Sequence, residues 1–264
     1  MIVLNLGCGI RTSPRCVNVD WSLYLALRRS RLLTALAGRV LDAPRRQHLA
    51  RIDGATVLHD LRRPLPFPDQ WADAVYHSHV LEHFDRHLED PDRDAALGFL
   101  RENLRVLKPG GILRVVVPDL EALCRGYLDD LAACAAQAAP GAEHDRAVAR
   151  ILEQSVRREA ATTARRRGLR RRVERLVLGD ARRRGETHQW MYDRVNLAAL
   201  LERAGFAEVR VVGYGVSRIP EWNEIALDLD EGGRERRPSS LYLEAVRPAA
   251  RAQASAPGAA RPGP

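Results

Sequence analysis

The stretch Ile2-Val3-Leu4-Asn5-Leu6-Gly7-Cys8-Gly9 decides the fold. It begins as a largely apolar run of strand length, and Gly7-Cys8-Gly9 breaks that run. A Gly-x-Gly turn at a strand end lets a ligand come close to the backbone, because glycine has no Cβ and tolerates positive φ. A second short run, Cys16-Val17-Asn18-Val19, ends on Asp20. An acid at the end of the second strand is placed to accept hydrogen bonds from the two hydroxyls of a ribose. Glycine turn and acid together point to a ligand that contains adenosine.

Outward from this start, Leu23 to Leu49 is rich in leucine and arginine and reads as helix, and Ala55 to Asp60 reads as the next strand. Arg62 to Asp69 holds Pro64, Pro66 and Pro68, which forbid a regular element. Ala72 to His77 reads as a strand, and Ser78-His79-Val80-Leu81-Glu82-His83 opens a turn or short helix. Leu97, Leu100, Leu104 and Leu107 recur at helical spacing. Lys108-Pro109-Gly110-Gly111 then supplies the cation, proline and glycines of a helix stop. Ile112 to Val117 is the most apolar strand. Leu120 to about Arg184 is helical in pattern, and Asp193 to Arg203 is a helix closed by Ala204-Gly205. Phe206 to Val212 and Leu241 to Val246 read as strands that can form an antiparallel edge. Residues 248–264 are rich in proline, alanine and glycine, and disorder is expected there. Strands alternating with helices predict an α/β domain with a largely parallel sheet.

With 264 residues the chain can bury a substantial core. No run approaches the ~18 apolar residues of a spanning helix. The N-terminus has no basic region before its apolar run, so no signal peptide is expected. Cys8, Cys16, Cys124 and Cys134 form no C-x-x-C pair. They read as reduced thiols of a cytoplasmic protein. The net charge of +8 is concentrated in one place: Arg157 to Arg184 holds twelve arginines against Glu159, Glu174 and Asp180, and the rest is close to neutral. Lys108 is the only lysine, so the arginine bias is chain-wide and argues weakly for nucleic acid.

Several of these segments together resemble the class I S-adenosylmethionine-dependent methyltransferases, and within them a small bacterial subgroup of the type 11 kind. Leu4-Asn5-Leu6-Gly7-Cys8-Gly9 resembles the family's first motif, and Asp20 falls at its ribose acid. His59-Asp60-Leu61 resembles the segment that meets adenine. Ser78 to His83 resembles the motif after the fourth strand, and Leu107 to Gly111 the turn before the fifth. Leu65 to Asp69, His188 to Asp193 and Arg237 to Tyr242 are similar to the subgroup. The resemblance implies a Rossmann-like sheet of about seven strands, with a methyltransferase domain over 1–247 and a helical insertion at about 120–185. It implies S-adenosylmethionine as cofactor, held by Asn5, Gly7, Gly9, Asp20, Asp60 and Ser78. Asn5 stands where the family usually has an acid for the methionine amino group. Only Ile10 to Arg15 separate the glycine turn from the second strand, so the helix that usually follows the turn must be missing or reduced.

An oxygen acceptor must also lose a proton. His83 is the first choice for that role, because histidine titrates near working pH. His79 and His188 follow, and Trp190, Tyr192 and Trp222 are candidate walls for an acceptor. The resemblance implies a small-molecule or glycan-type hydroxyl acceptor. If the arginine segment forms a lid, the acceptor would be anionic. RNA as acceptor is an alternative, weakened because no aromatic residues interleave the arginines. A module that binds the cofactor without turnover is another. His79-Val80-Leu81-Glu82-His83 also spells H-x-x-E-H, a zinc-protease pattern that needs a helix. That alternative leaves the glycine turn and Asp20 unexplained, and no metal is assigned.

Overall fold

The computed structural model describes residues 1–40, 43–136, 142–154 and 187–249. Strands β1 (Val3–Leu6), β2 (Val17–Asp20), β3 (Val57–Leu58), β4 (Ala72–Ser78), β5 (Leu107–Pro118), β6 (Ala207–Val211) and β7 (Ser240–Val246) form one seven-stranded sheet. Its order is β3-β2-β1-β4-β5-β7-β6. The first five strands run parallel, and β7 is antiparallel to both β5 and β6. This is the expected mostly parallel α/β sheet, with the expected antiparallel edge.

Side-chain alternation sorts the sheet into two unlike faces. On one face Leu4, Leu6, Val75, Leu113, Val115, Leu243 and Ala245 pack against α4 (Ala95–Val106) and α7 (Arg194–Ala204). Those two helices contribute Leu97, Leu100, Leu197, Leu200 and Leu201. Asp94 starts α4 by accepting from the Leu97 N–H. Asp193 and Asn196 form a capping box on α7, and Gly205 at φ 103° ends it. The other face carries Val3, Ala74, Tyr76, Val116 and Tyr242 and is covered by Ile219, Trp222, Ile225 and Leu227. That cover is mostly loop, with one short helix, α8 (Trp222–Ile225).

A buried polar network fastens the cover. Arg114, projecting from β5, is fully buried and donates through Nε to Asp228 (2.8 Å) and through Nη1 to Glu244 (2.9 Å) and the Val216 carbonyl (2.9 Å). Nη2 donates to the carbonyls of Gly213 and Tyr214, both at 3.1 Å. Tyr76 and Trp222 also donate to Asp228, at 2.6 and 3.1 Å. Every N–H of the guanidinium is thus used.

No helix separates β1 from β2. The short crossover is held instead by polar side chains. Asn5 donates to Asn18 Oδ1 and to the Arg11 carbonyl, both at 2.9 Å. Asn18 in turn donates to the Ser13 carbonyl. Arg11 reaches across to the carbonyls of Ala226 and Leu229, at 2.6 Å each. The loop that covers the second face is thereby tied to the turn where a helix would otherwise start.

Before β3 come α1 (Leu23–Arg28), α2 (Arg31–Val40) and α3 (Ala43–Arg51), so the expected helical stretch is three separate helices. β3 itself is shorter than expected, because it pairs only with Val19 and Asp20 at the sheet edge. Lys108 to Gly111 is not a helix stop: α4 ends at Val106 and the chain passes directly into β5, with Leu107 opposite Ala72. Arg247 causes this, since its N–H and carbonyl pair with Gly111 and Gly110 far along the sequence. Leu107 therefore belongs to the sheet and not to the helix's leucine face. The region expected to be an insertion contains α5 (Leu120–Ala136) and α6 (Ala142–Gln154). The arginine segment 157–184 and most of the expected tail lie outside the described residues. Among the described residues, no helix is long and apolar enough to cross a membrane.

Candidate functional site

The carboxyl ends of β1, β2, β3 and β4 surround an open cleft with a cavity volume of about 190 Å³. Ligand sites of α/β sheets lie at this edge. Gly7, Asp20, Asp60, His79 and His83 all line it, drawn together from four strand ends. Trp21, Leu61, Val80 and Phe84 supply apolar wall, and Arg62 stands at the rim.

Gly7 sits at φ 68°, and its N–H, like that of Cys8, donates to the Val19 carbonyl. A Cβ added there would lie 2.4 Å from Val80 Cγ2. Only glycine allows β1 and the loop after β4 to approach this closely. Gly9, at φ 55°, faces open space, and it is not part of the cleft lining.

The Asp20 carboxyl accepts from the Trp21 N–H at 2.7 Å. Burial raises its pKa above the ordinary carboxylate value, and the Trp21 and Gly9 amides offset part of that rise. An acid that must ionise against burial gains from hydrogen-bond donors in the cleft. Asp60 differs. Burial works to raise it, but two hydrogen bonds from Arg62, both 2.8 Å, outweigh that and hold it below the usual range. Asp60 is thus already half committed to Arg62.

The far wall is a cluster of imidazoles around one acid. His79 has the left-handed backbone, φ 55°, and a 3₁₀ turn follows at Leu81–His83. No helix carries His79 and His83, so the protease pattern lacks the element it needs. Glu82 is fully buried, and neither of its carboxylate oxygens has a hydrogen-bond partner. His79 Nδ1 lies 3.4 Å from Glu82 Oε1, and His188 Nε2 lies 4.0 Å from the same oxygen. The rings of His83 and His188 meet edge to face at 4.9 Å. Burial pushes His79 down to about 3 and His83 to about 4, and pushes Glu82 up to about 8. The 3.4 Å approach is therefore not an ion pair at neutral pH. His188 is brought here because the Gln189 and Trp190 N–H groups donate to the Glu82 carbonyl.

Other expected site residues lie elsewhere. Asn5 is buried and does not line the cleft, because its amide is spent on the crossover. Ser78 ends β4 beside Val116 and is not part of the cleft lining. Trp222 belongs to the opposite face of the sheet, under Arg114, so it cannot wall an acceptor pocket. Tyr192 is core, and Trp190 packs against that core beneath Arg86. The aromatic residues that do line the cleft are Trp21 and Phe84, and their places directly after Asp20 and His83 are the available signal.

The sequence profile of the methyltransferase domain matches residues 4–115, which hold β1 to β4 and most of β5. No curated protein is similar enough in sequence to count as a relative. Solved structures to which the chain is similar include a SAM-dependent methyltransferase from Aquifex aeolicus, at 14% identity, covering 93% of this chain and 81% of that one, with a TM-score of 0.35. The YcgJ protein of Bacillus subtilis is similar at 12% identity, with 94% and 92% covered and a TM-score of 0.39. The CurJ carbon methyltransferase is similar at 13% identity, with 94% and 49% covered and a TM-score of 0.39.

Proposed function

We propose that this chain, a class I S-adenosylmethionine-dependent methyltransferase by its domain over residues 4–115, methylates a hydroxyl oxygen of a small-molecule or glycan-type acceptor. One observation carries the reading. A single cleft joins Gly7, Asp20 and Asp60 on one side to His79 and His83 on the other.

The residues present fit the cofactor. Asp20, raised by burial, would accept from the ribose hydroxyls, which offset its cost of ionising. Asp60, through the lone pairs that remain on its two Arg62-bound oxygens, would accept from the adenine amino group. Leu61, Val80 and Phe84 offer apolar surface to the base, and Gly7 the close backbone approach. When bound, the cofactor supplies a methyl group already activated on a sulfonium, so the protein's work is to position an oxygen and keep water out. His79 and His83 stand uncharged at the wall where that oxygen would arrive, with His188 packed behind His83, and this cluster handles the acceptor's proton.

Titration calorimetry with S-adenosylhomocysteine tests the cofactor side. Asp20→Ala is expected to weaken binding about tenfold to a hundredfold, the size of a hydrogen bond to a charged group. Unchanged affinity would place the site elsewhere. The same acid predicts a stability effect with a definite sign. Its folded pKa is raised, so its contribution is fully favourable only below the unfolded value of about 3.9 and is lost as pH rises through the folded one. Asp20→Asn is therefore expected to raise the Tm of the ligand-free protein at pH 7, with the gain shrinking as pH falls toward about 4. For the acceptor, labelled methyl groups should pass to hydroxylated glycans and not to amines or carbon acids of similar size. Cofactor binding without transfer to any acceptor in a lysate would indicate a module that has lost turnover.

A further inference from the structure

Glu82 poses a problem that methyl transfer alone does not solve. Its carboxylate is wholly buried and accepts no hydrogen bond. Buried carboxylates normally face N–H donors or a cation. The nearest groups to this one are ring nitrogens of His79 and His188, with the Arg237 guanidinium farther off, and the hydrogens of His188 and its neighbour His83 can be assigned. His188 Nδ1 lies 2.9 Å from the Gln154 carbonyl. A carbonyl only accepts, so Nδ1 carries the hydrogen and Nε2 carries the lone pair. His83 Nδ1 lies 3.2 Å from the Thr187 carbonyl, and the same logic leaves its Nε2 with a lone pair. Whenever Glu82 is ionised, its Oε1 and His188 Nε2 therefore confront each other across 4.0 Å as two acceptors with nothing to share.

A cation resolves the confrontation. One ligand atom from each of Glu82, His83 and His188 can be chosen so that all three lie within 4.8 Å of one another. Donors around a tetrahedral zinc ion with bonds of about 2.1 Å stand about 3.4 Å apart, so modest side-chain rotation closes the shell. Both histidines already have the outer shell of metal ligands, each donating its other ring N–H to a backbone carbonyl.

We infer that Glu82, His83 and His188 bind a divalent transition-metal ion of the zinc type, with an open coordination position toward the cleft. Two imidazoles and one carboxylate suit zinc or cobalt better than calcium or magnesium, and three protein ligands are the count of a catalytic zinc site. His79 stays outside the three and lies beside the Glu82 carboxylate, 3.4 Å from Oε1. The H-x-x-E-H spelling thus marks a metal site of a different construction: its acid is a ligand, and its second histidine pairs with one more than a hundred residues away.

The ion's role in the reaction rests on the methyl-transfer reading above. Its open position would take the acceptor's hydroxyl oxygen and make that hydroxyl more acidic. The O–H proton passes to His79, the imidazole left outside the three ligands, and from it to bulk water; the oxygen forms the new bond to the methyl carbon, and the electron pair of the broken C–S bond stays on sulfur. The acceptor class that follows is a hydroxyl compound able to reach a metal ion, such as a sugar diol.

The test uses the full chain, stripped with a chelator and titrated with Zn²⁺ by calorimetry and with Co²⁺ by visible absorption. One equivalent is expected, with the intense Co²⁺ bands of a four-coordinate site. His188→Ala and Glu82→Gln should each weaken binding about a hundredfold or more, and His87→Ala should leave it unchanged. S-adenosylhomocysteine is titrated into every variant in parallel, which also reports folding. Substoichiometric metal, or affinity indifferent to His188→Ala and Glu82→Gln, overturns the metal site even if S-adenosylhomocysteine still binds. Stoichiometric metal without S-adenosylhomocysteine binding leaves the metal site standing and removes the cofactor reading.

Discussion

Replacing Arg114 by alanine is expected to cost about 3–5 kcal/mol of folding stability, the penalty for leaving buried charges without their partner. The guanidinium serves Asp228, Glu244 and three carbonyls of residues 213–216, and the rings of Trp222 and Tyr242 lie 5.0 and 5.5 Å from it. Truncation leaves the Glu244 carboxylate with Ser217, the Arg218 N–H and the Arg218 guanidinium at 3.6 Å, and leaves Asp228 with only Tyr76 and Trp222. The loop that covers the sheet's second face would lose its main fastening. Urea unfolding should show a lowered midpoint at unchanged slope. Cofactor affinity should fall too, because the same loop accepts Arg11 from the glycine crossover. A loss below about 1 kcal/mol would mean that the loop reseats without the arginine.

Gly7→Ala is the second large effect. The left-handed backbone alone costs about 1–2 kcal/mol, and the contact with Val80, 2.4 Å from the new Cβ, adds about 1–3 kcal/mol of overpacking. Gly9→Ala has only the backbone cost, since its Cβ meets open space. S-adenosylhomocysteine titration and urea unfolding of both variants separate the two contributions. Gly7→Ala/Val80→Ala should recover the packing part and keep the backbone part. Equal effects of Gly7→Ala and Gly9→Ala would show that the approach of β1 to Val80 does not decide the site.

The parts of the molecule legible in the sequence are those that local chemistry fixes. The buried run Val3–Leu6, the glycine turn and Asp20 follow from strand length, absence of a Cβ and the end of a strand, and they lie where expected. Asp193 and Gly205 bound their helix for equally local reasons. What escaped was set over long range. Lys108 to Gly111 carries every local mark of a helix stop, but Arg247 pairs with it as sheet. Trp222 is drawn to the opposite face by Arg114 and Asp228, residues with no periodic relation to it. His188 was placed near the site only through resemblance, and it is the backbone of Glu82 that holds its neighbours there. Asn5, in the position of a family acid, turned out to brace the crossover.

That braced crossover also bears on ligand discrimination. A helix beginning after the glycine turn would aim about half a positive charge at the carboxylate of a bound amino acid, and here no such field exists. If Asp20 and Asp60 hold the cofactor as proposed, its recognition shifts toward the nucleoside. On that reading, a fragment such as methylthioadenosine, which lacks the amino acid altogether, is expected to compete for the cleft far better than it would if a helix followed the glycine turn.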